Sequence, residues 1–187
     1  MIEMNEAFQT LAEIIRCRRT AREFNGQPVS KSVIETLLEC AAWAPNHRMN
    51  EPWKFLIILP SGIQHWIEHL KATLQENEQK LYSSGFQKLK TVGALIFVTS
   101  QRDPNPLIEK ENYAATCAAV QNLLLAATAL ELASYWSTGA LMTCPQTLTF
   151  FNIAELEQFV AAVWIGYGTI PPPKPRTDFH KKTRWIE

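Results

Sequence analysis

The sequence predicts an α+β fold in which a small mixed sheet is covered by helices. Three short apolar runs typical of buried strands, residues 53–59, 93–99 and 159–165, are separated by segments with helical periodicity. A glycine-rich phosphate loop after a strand is missing, because the glycines at 166 and 168 are followed by prolines rather than by a helix. We therefore expect helices packed on a sheet, and not a Rossmann dinucleotide fold.

The composition is that of one globular domain. The chain has 187 residues, of which 47% are hydrophobic, and a chain of this length buries roughly 70% of its unfolded surface in one core. We expect residues 1–187 to form a single domain. Positive and negative side chains number 18 each, so no overall field favours nucleic acid or an anionic membrane as partner.

The cysteines and the N-terminal residues indicate the cellular compartment of the protein. The four cysteines are widely spaced and form no CxxC pair, so we expect reduced thiols and no metal site: Cys17, Cys40, Cys117 and Cys144. Residues 1–16 lack the apolar core of a signal peptide. The sequence therefore predicts a cytoplasmic protein.

The first half of the chain predicts three helices and a strand. Asn5 is a plausible cap for a helix that runs to Cys17, and Pro28 and Ser30 open a second helix that stops before Pro45. Residues 53–59 are rich in aromatic and β-branched side chains, which favours a buried strand. A third helix follows over residues 63–74.

The second half contains a long apolar segment, residues 113–132. Alanines and scattered polar side chains favour the central helix of a soluble fold over a membrane span. Residues 134–140 predict a short strand or loop, and Pro145 starts a short helix. After the strand at 159–165, the prolines at 171–173 predict an extended C-terminal arm.

Clusters of cations stand near both ends of the chain. Arg18-Arg19-Thr20-Ala21-Arg22 follows the first helix, and Lys174-Pro175-Arg176 follows the prolines. Arginines at a helix end can simply interact with the helix dipole, and a Lys-Pro-Arg arm can be solvated. If the two clusters converge, their side chains suit an anion such as phosphate.

Four segments in this order resemble the nitroreductase family of FMN-dependent oxidoreductases, in its compact bacterial branch. They are the cluster at 18–22, the loop at 44–53, the segment Thr138-Gly139-Ala140 and the pair Lys174-x-Arg176. The resemblance extends along nearly the whole chain. It implies a nitroreductase-like sandwich and a homodimer with two FMN sites at the subunit interface, each held by both chains.

The resemblance also implies which residues contact FMN. The positions that match the phosphate and ribityl contacts are Arg18, Thr20, Lys174 and Arg176, with Arg19 as a neighbouring contact. Arg22 matches the cation at the pyrimidine edge, where a fixed positive charge favours the anionic reduced flavin. Four residues match the loop that the partner subunit contributes to the site: Trp43, Pro45, Asn46 and His47. The segment that passes the flavin face, with a backbone N–H toward N5, matches Ser137, Thr138 and Gly139.

The implied activity is hydride transfer from NADH or NADPH through flavin N5 to an electron-poor acceptor. A nitroaromatic, a quinone or an enone would suit, with ping-pong kinetics and no catalytic side chain; His47 is a possible contact and need not be an acid or base. A dehalogenase or a dehydrogenase on the same fold stays open. So does a flavin-binding protein with little turnover, because residues 131–134 replace a glycine-rich turn that is frequent in the family.

Overall fold

The computed structural model describes residues 5–187, whose six strands form two sheets. The smaller sheet pairs β1 (Glu23–Phe24) with β6 (Gly168–Thr169). The larger sheet contains β2 (Trp53–Ile58), β3 (Ala94–Gln101), β4 (Ala133–Ser137) and β5 (Glu157–Gly166), in the order β2-β3-β5-β4. The α+β class is confirmed. The expected mixed sheet is not observed in the described chain, where every neighbouring pair is antiparallel, because strand direction depends on pairing partners and not on local sequence.

Helices connect and cover these strands. They are α1 (Glu6–Cys17), α2 (Lys31–Ala42), α3 (Pro60–Thr73), α4 (Glu76–Leu89), α5 (Pro106–Ala129), α6 (Ala140–Thr143) and α7 (Pro145–Phe150), with short 3₁₀ turns at His47–Met49 and Phe179–Lys182. The long helix α5 begins at Pro106 rather than at residue 113, and α4 was not expected from the sequence. Among the described residues, no helical segment combines the length and hydropathy needed to span a bilayer.

The larger sheet separates two apolar cores because its side chains alternate between faces. Along β3, Ile96 and Val98 pack into the core shared with α2 and α5, whereas Leu95 and Phe97 pack into the core shared with α3 and α4. All four side chains are fully buried. Each contributes about 1.5–3 kcal/mol through burial of apolar surface. This strand therefore fixes the positions of helices on both sides.

The first helix is well formed but poorly buried. The Asn5 side chain caps it by accepting a hydrogen bond from the Phe8 N–H at 2.9 Å, as the sequence predicted. On its apolar stripe, however, Phe8, Leu11 and Ile15 remain 50%, 52% and 50% exposed, and none of its residues is buried. Such a stripe on one chain needs another surface to cover it.

The small sheet joins the two ends of the chain. Glu23 lies opposite Thr169 and Phe24 opposite Gly168 in antiparallel register, and Asn25 donates its N–H to the Tyr167 carbonyl at 2.9 Å. A Cβ on Gly168 would lie only 1.9 Å from the Glu23 carbonyl oxygen, so only glycine permits this approach. The ladder places the segment after α1 beside the start of the proline-rich arm.

Candidate functional site

The two cationic clusters surround one cavity of about 200 Å³. Its lining consists of Arg18, Arg19, Thr20, Pro171, Pro172, Lys174 and Arg176. The cluster that follows α1 thus meets the arm that follows β6. The structure brings together all five residues that the resemblance implied for phosphate, ribityl and neighbouring contacts.

Arg19 ties the two segments together. Its Nη1 donates to the Arg18 carbonyl at 2.5 Å, and its Nε donates across to the Pro172 carbonyl at 3.4 Å. Because these bonds use backbone acceptors, the Arg19 side chain is held against the arm by contacts that need no anion. Arg19 therefore stabilises the wall of the cavity. Arg18, Lys174 and Arg176 are the other cations that line it.

The cavity concentrates positive charge. Burial lowers the pKa of the Arg18 guanidinium, and the nearby charges of Arg176 and Arg19 lower it further, although arginine still remains charged. None of the ion pairs formed within residues 5–187 includes Arg18, Arg19, Lys174 or Arg176. A dipole contact at the end of α1 does not explain cations that converge from two distant segments. Repulsion among them makes an anion the favoured occupant.

A second cavity, of about 310 Å³, lies along the segment predicted to pass the flavin face. Its lining comes from α4, from the end of β4, from α6 and from β5: Leu81, Tyr82, Ser84, Gly85, Lys88, Tyr135, Ser137, Gly139, Ala140, Leu141, Met142 and Trp164. Ser137 and Gly139 were expected here, with Thr138 between them. The Gly139 N–H donates to the Ser137 Oγ at 3.3 Å, which closes a tight turn at the cavity wall.

The contribution of α4 was missed at the sequence level. The sequence does contain a pattern that predicts this helix, because Tyr82, Phe86 and Leu89 recur at i, i+4 and i+7. Gln75 and Glu78 also have capping-box spacing, and in the structure the Glu78 carboxylate accepts from the Gln75 N–H at 2.9 Å. The helix is otherwise polar. It adds Tyr82 and Lys88 to the lining of the second cavity.

Stacked aromatic rings form the back of this second cavity. Tyr135 stacks on Trp164, with ring centres 5.2 Å apart, and on Phe24 at 6.2 Å. The Arg22 guanidinium carbon lies 5.8 Å from the centre of the Tyr135 ring, within cation–π range. Burial raises the pKa of Tyr135 and outweighs the opposing charge of Arg22, so this residue stays a neutral phenol. Arg22 thus approaches the second cavity and does not line the first.

The loop after α2 lines a third cavity, of about 530 Å³. Its lining includes Trp43, Pro45 and Asn46 together with Met49. Trp43 and Met49 are 82% and 80% exposed, which is unusual for large apolar side chains. His47 instead faces α5, with its Nδ1 3.7 Å from a Glu111 carboxylate oxygen. In a single chain, these predicted residues are not brought to either of the other two cavities.

The order of these features along the chain matches a known family. The nitroreductase family model matches residues 15–167. The chain belongs to the nitroreductase family. A relative from Bacillus subtilis (strain 168), "Putative NAD(P)H nitroreductase YfhC", is 31% identical over 173 residues, which is 89% of each chain.

Solved nitroreductase structures share the whole fold. A nitroreductase-like protein from Bacillus cereus is 29% identical, covers 100% of this chain and 99% of its own, and superposes with a TM-score of 0.87. A structure from Desulfovibrio desulfuricans, determined in complex with FMN, is 24% identical, covers 99% of each chain and has a TM-score of 0.77. The three cavities described above therefore lie on a nitroreductase scaffold.

The turn between α5 and β4 holds no glycine, whereas the resemblance implied a glycine-rich turn there. Glu131 takes a φ of 57°, the left-handed conformation that favours glycine. The turn still forms: Leu132 donates its N–H to the Ala127 carbonyl at 2.9 Å, and the Ser134 carbonyl accepts from the Ala21 N–H at 3.0 Å. The turn without glycine therefore still allows β4 to form a hydrogen bond with residues 18–22.

Proposed function

We propose that this chain is an NAD(P)H oxidoreductase of nitroreductase type that holds FMN. The observation that carries the proposal is the cavity in which cations from residues 18–19 and 174–176 converge without a carboxylate partner in the described chain. Its charge and its Thr20 hydroxyl suit a phosphate dianion. The FMN bound to the Desulfovibrio relative and the name of the Bacillus subtilis relative support the same reading.

The proposed roles follow from the positions of the side chains. Arg18, Lys174 and Arg176 hold the phosphate, Thr20 contacts the ribityl chain, and Arg19 keeps the arm in place. Arg22, near the Tyr135 ring, puts a fixed charge close to the pyrimidine edge. The turn at residues 137–139 passes the flavin face with a backbone N–H toward N5, and small side chains there leave room for a substrate.

When bound, FMN supplies the chemistry, by passing an electron pair from the reduced nicotinamide to the acceptor. NADH or NADPH loses a hydride and becomes NAD⁺ or NADP⁺, and a nitroaromatic, quinone or enone is reduced with protons from water. The cavity beside residues 137–139 measures about 310 Å³, at the low end for ligand pockets. Donor and acceptor therefore use it in turn, and ping-pong kinetics result.

We also propose that the protein is a homodimer whose partner supplies the loop of residues 43–47. The exposed stripe of α1 and the exposed Trp43 and Met49 support an apolar interface. Leu11→Glu should convert the dimer to a monomer in sedimentation velocity runs. Leu156→Glu is the matched control, since Leu156 is 77% exposed on the loop that precedes β5 and is not part of α1. A wild-type protein that sediments as a monomer contradicts the proposal.

Two measurements test the flavin activity. The purified protein should show the visible absorption of oxidised flavin, or regain it when mixed with FMN. In anaerobic stopped-flow runs, NADH or NADPH should bleach this absorption rapidly, and a nitroaromatic or quinone should restore it. A colourless protein that takes up no FMN contradicts the cofactor assignment. Bound flavin that neither nicotinamide bleaches indicates a flavin-binding protein with little turnover.

Reductive dehalogenation is a second candidate. An iodotyrosine deiodinase from Danio rerio is 30% identical over 82 residues, which is 44% of this chain and 26% of that protein. Both activities would use the same cavity, so they are separated by product. Halide release from an iodinated phenol, at a rate above nitroaromatic or quinone reduction, would favour the dehalogenase.

A further inference from the structure

The loop between α2 and β2 has a strained backbone. Arg48, Met49 and Glu51 have φ angles of 54°, 56° and 44°, in the left-handed region that residues other than glycine rarely adopt. The Cβ of such a residue crowds its own backbone, so this conformation is unfavourable for each of the three. A loop with this backbone keeps its shape only where the surrounding structure holds it in place.

Part of the restraint lies within the loop. The Asn46 side chain accepts from the Glu51 N–H at 3.0 Å and donates to the Ala44 carbonyl at 3.3 Å, which closes the loop on itself. These bonds set its internal shape but not its position on the protein. A contact with a rigid element is needed for that.

Asn112 of α5 supplies this contact. Its side chain is 2% exposed, and its Oδ1 accepts from the Asn50 Nδ2 at 2.6 Å. Its Nδ2 donates to the Gln101 carbonyl at 3.2 Å, and the Gln101 N–H donates to the Pro52 carbonyl at 2.8 Å. A buried amide thus connects the loop, the long helix and the end of β3. Buried polar side chains with both ends bonded rigidify their surroundings.

We propose that Asn112 is a positioning residue for the cofactor site. Asn112 touches none of the three cavities and acts through Asn50: it holds in place the loop whose residues 43–47 would contact a flavin in the partner subunit. This inference rests on the proposed function. It assigns a role in FMN binding to a residue remote from the cations.

The test compares Asn112→Ala with Asn122→Ala. Asn122 is the control because it lies on the same helix and its Nδ2 donates at 3.3 Å to the Cys40 carbonyl of α2, and not to a residue of the loop itself. The FMN dissociation constant is measured by fluorescence titration of apoprotein, and the thermal midpoint of each apoprotein is measured separately. Loss of a buried hydrogen bond should weaken FMN binding about tenfold in Asn112→Ala. Asn122→Ala should stay within about twofold of wild type in both FMN affinity and turnover.

A second readout needs no FMN. Trypsin cleaves after Arg48, inside the loop, and Asn112→Ala apoprotein should be cut there faster than wild type, whereas Asn122→Ala should not. If Asn112→Ala does not fold, Asn50→Ala removes the same bond from the exposed loop and takes its place. Wild-type FMN affinity in the folded variant, or an equal loss in Asn122→Ala, overturns the inference. Arg18→Ala separates the two ideas: normal FMN affinity there refutes the phosphate assignment, whereas weak binding there with normal binding in Asn112→Ala refutes only the positioning role.

Discussion

The guanidinium of Arg22 lies over the ring of Tyr135, at 5.8 Å from its centre, while Tyr135 stacks on Trp164 at 5.2 Å. The stack fixes the position of the Tyr135 ring, and the neutral ring can hold the guanidinium through a cation–π contact. Arg22 is separated in this way from the cations around the first cavity. Tyr135 and Trp164 line the second cavity, so the Arg22 charge lies next to a residue of that cavity's wall.

This placement predicts an effect of Arg22 on the bound flavin. Arg22→Gln should lower the two-electron reduction potential of bound FMN, because a fixed positive charge near the pyrimidine edge is lost. A fall of about 30 mV would correspond to about 1.4 kcal/mol for a two-electron couple. Spectroelectrochemical titration measures it. Arg22→Lys keeps the charge and should retain most of the potential; equal shifts in both variants would mean that charge is not the cause.

The anion cavity predicts a loss of FMN affinity when its cations are removed. Each charge-assisted hydrogen bond contributes about 1.5–3 kcal/mol, so Arg18→Ala or Arg176→Ala should weaken FMN binding by roughly 10- to 100-fold. Fluorescence titration is again suitable. The control is Arg184→Ala, an exposed arginine further along the arm that lines none of the three cavities. Riboflavin, which lacks the phosphate, should bind Arg18→Ala and Arg176→Ala with the same affinity as it binds wild type.

The left-handed backbone at Glu131 predicts a stabilising substitution. Glu131→Gly should raise the free energy of unfolding by about 0.5–1 kcal/mol, because glycine adopts this conformation without a steric penalty. Urea denaturation gives the value. Asn152, with a φ of 50°, is the comparison, since asparagine tolerates this region and Asn152→Gly should gain less. A loss of stability in Glu131→Gly would show that its side chain makes a compensating contact.

The pair formed by Lys54 and Glu157 predicts a stability that depends on pH. Burial alone would raise the pKa of Glu157, yet hydrogen bonds from Lys54 and Thr99, with the Lys54 charge, hold it below its ordinary value. A depressed carboxyl pKa stabilises the fold above the unfolded pKa of about 4.3, and the effect is lost as the pH falls through the folded value.

Lys54→Met should therefore destabilise the protein at pH 7, and the difference from wild type should shrink toward pH 3. The Lys54 side chain is 67% exposed, so the difference at pH 7 should be no more than about 1 kcal/mol. Urea titrations at several pH values measure it. Lys31→Met is the control, because Lys31 and Glu35 are exposed and 3.5 Å apart. A difference that is constant with pH would contradict the electrostatic explanation.

Most helices and strands could be predicted from the sequence because apolar spacing and capping side chains within each segment determine them. The strands β2, β3 and β5 follow from their apolar runs, and the cap at Asn5 follows from its side chain. Helix α4 was missed because its polar face hides Phe86 and Leu89, and strand direction depends on contacts between distant segments. The convergence of the two cationic clusters was expected only through a resemblance, since it depends on pairing across the small sheet. The single domain and the cytoplasmic location stay predictions.

The small sheet has a consequence for when the cofactor is acquired. Arg19 bonds to a carbonyl 153 residues further along the chain, and β6 precedes the arm that completes the anion cavity. During synthesis, this cavity cannot exist until residues through Arg176 have emerged from the ribosome. FMN loading therefore has to follow the synthesis of both halves of the cavity, and a chain truncated before Lys174 should fail to retain FMN.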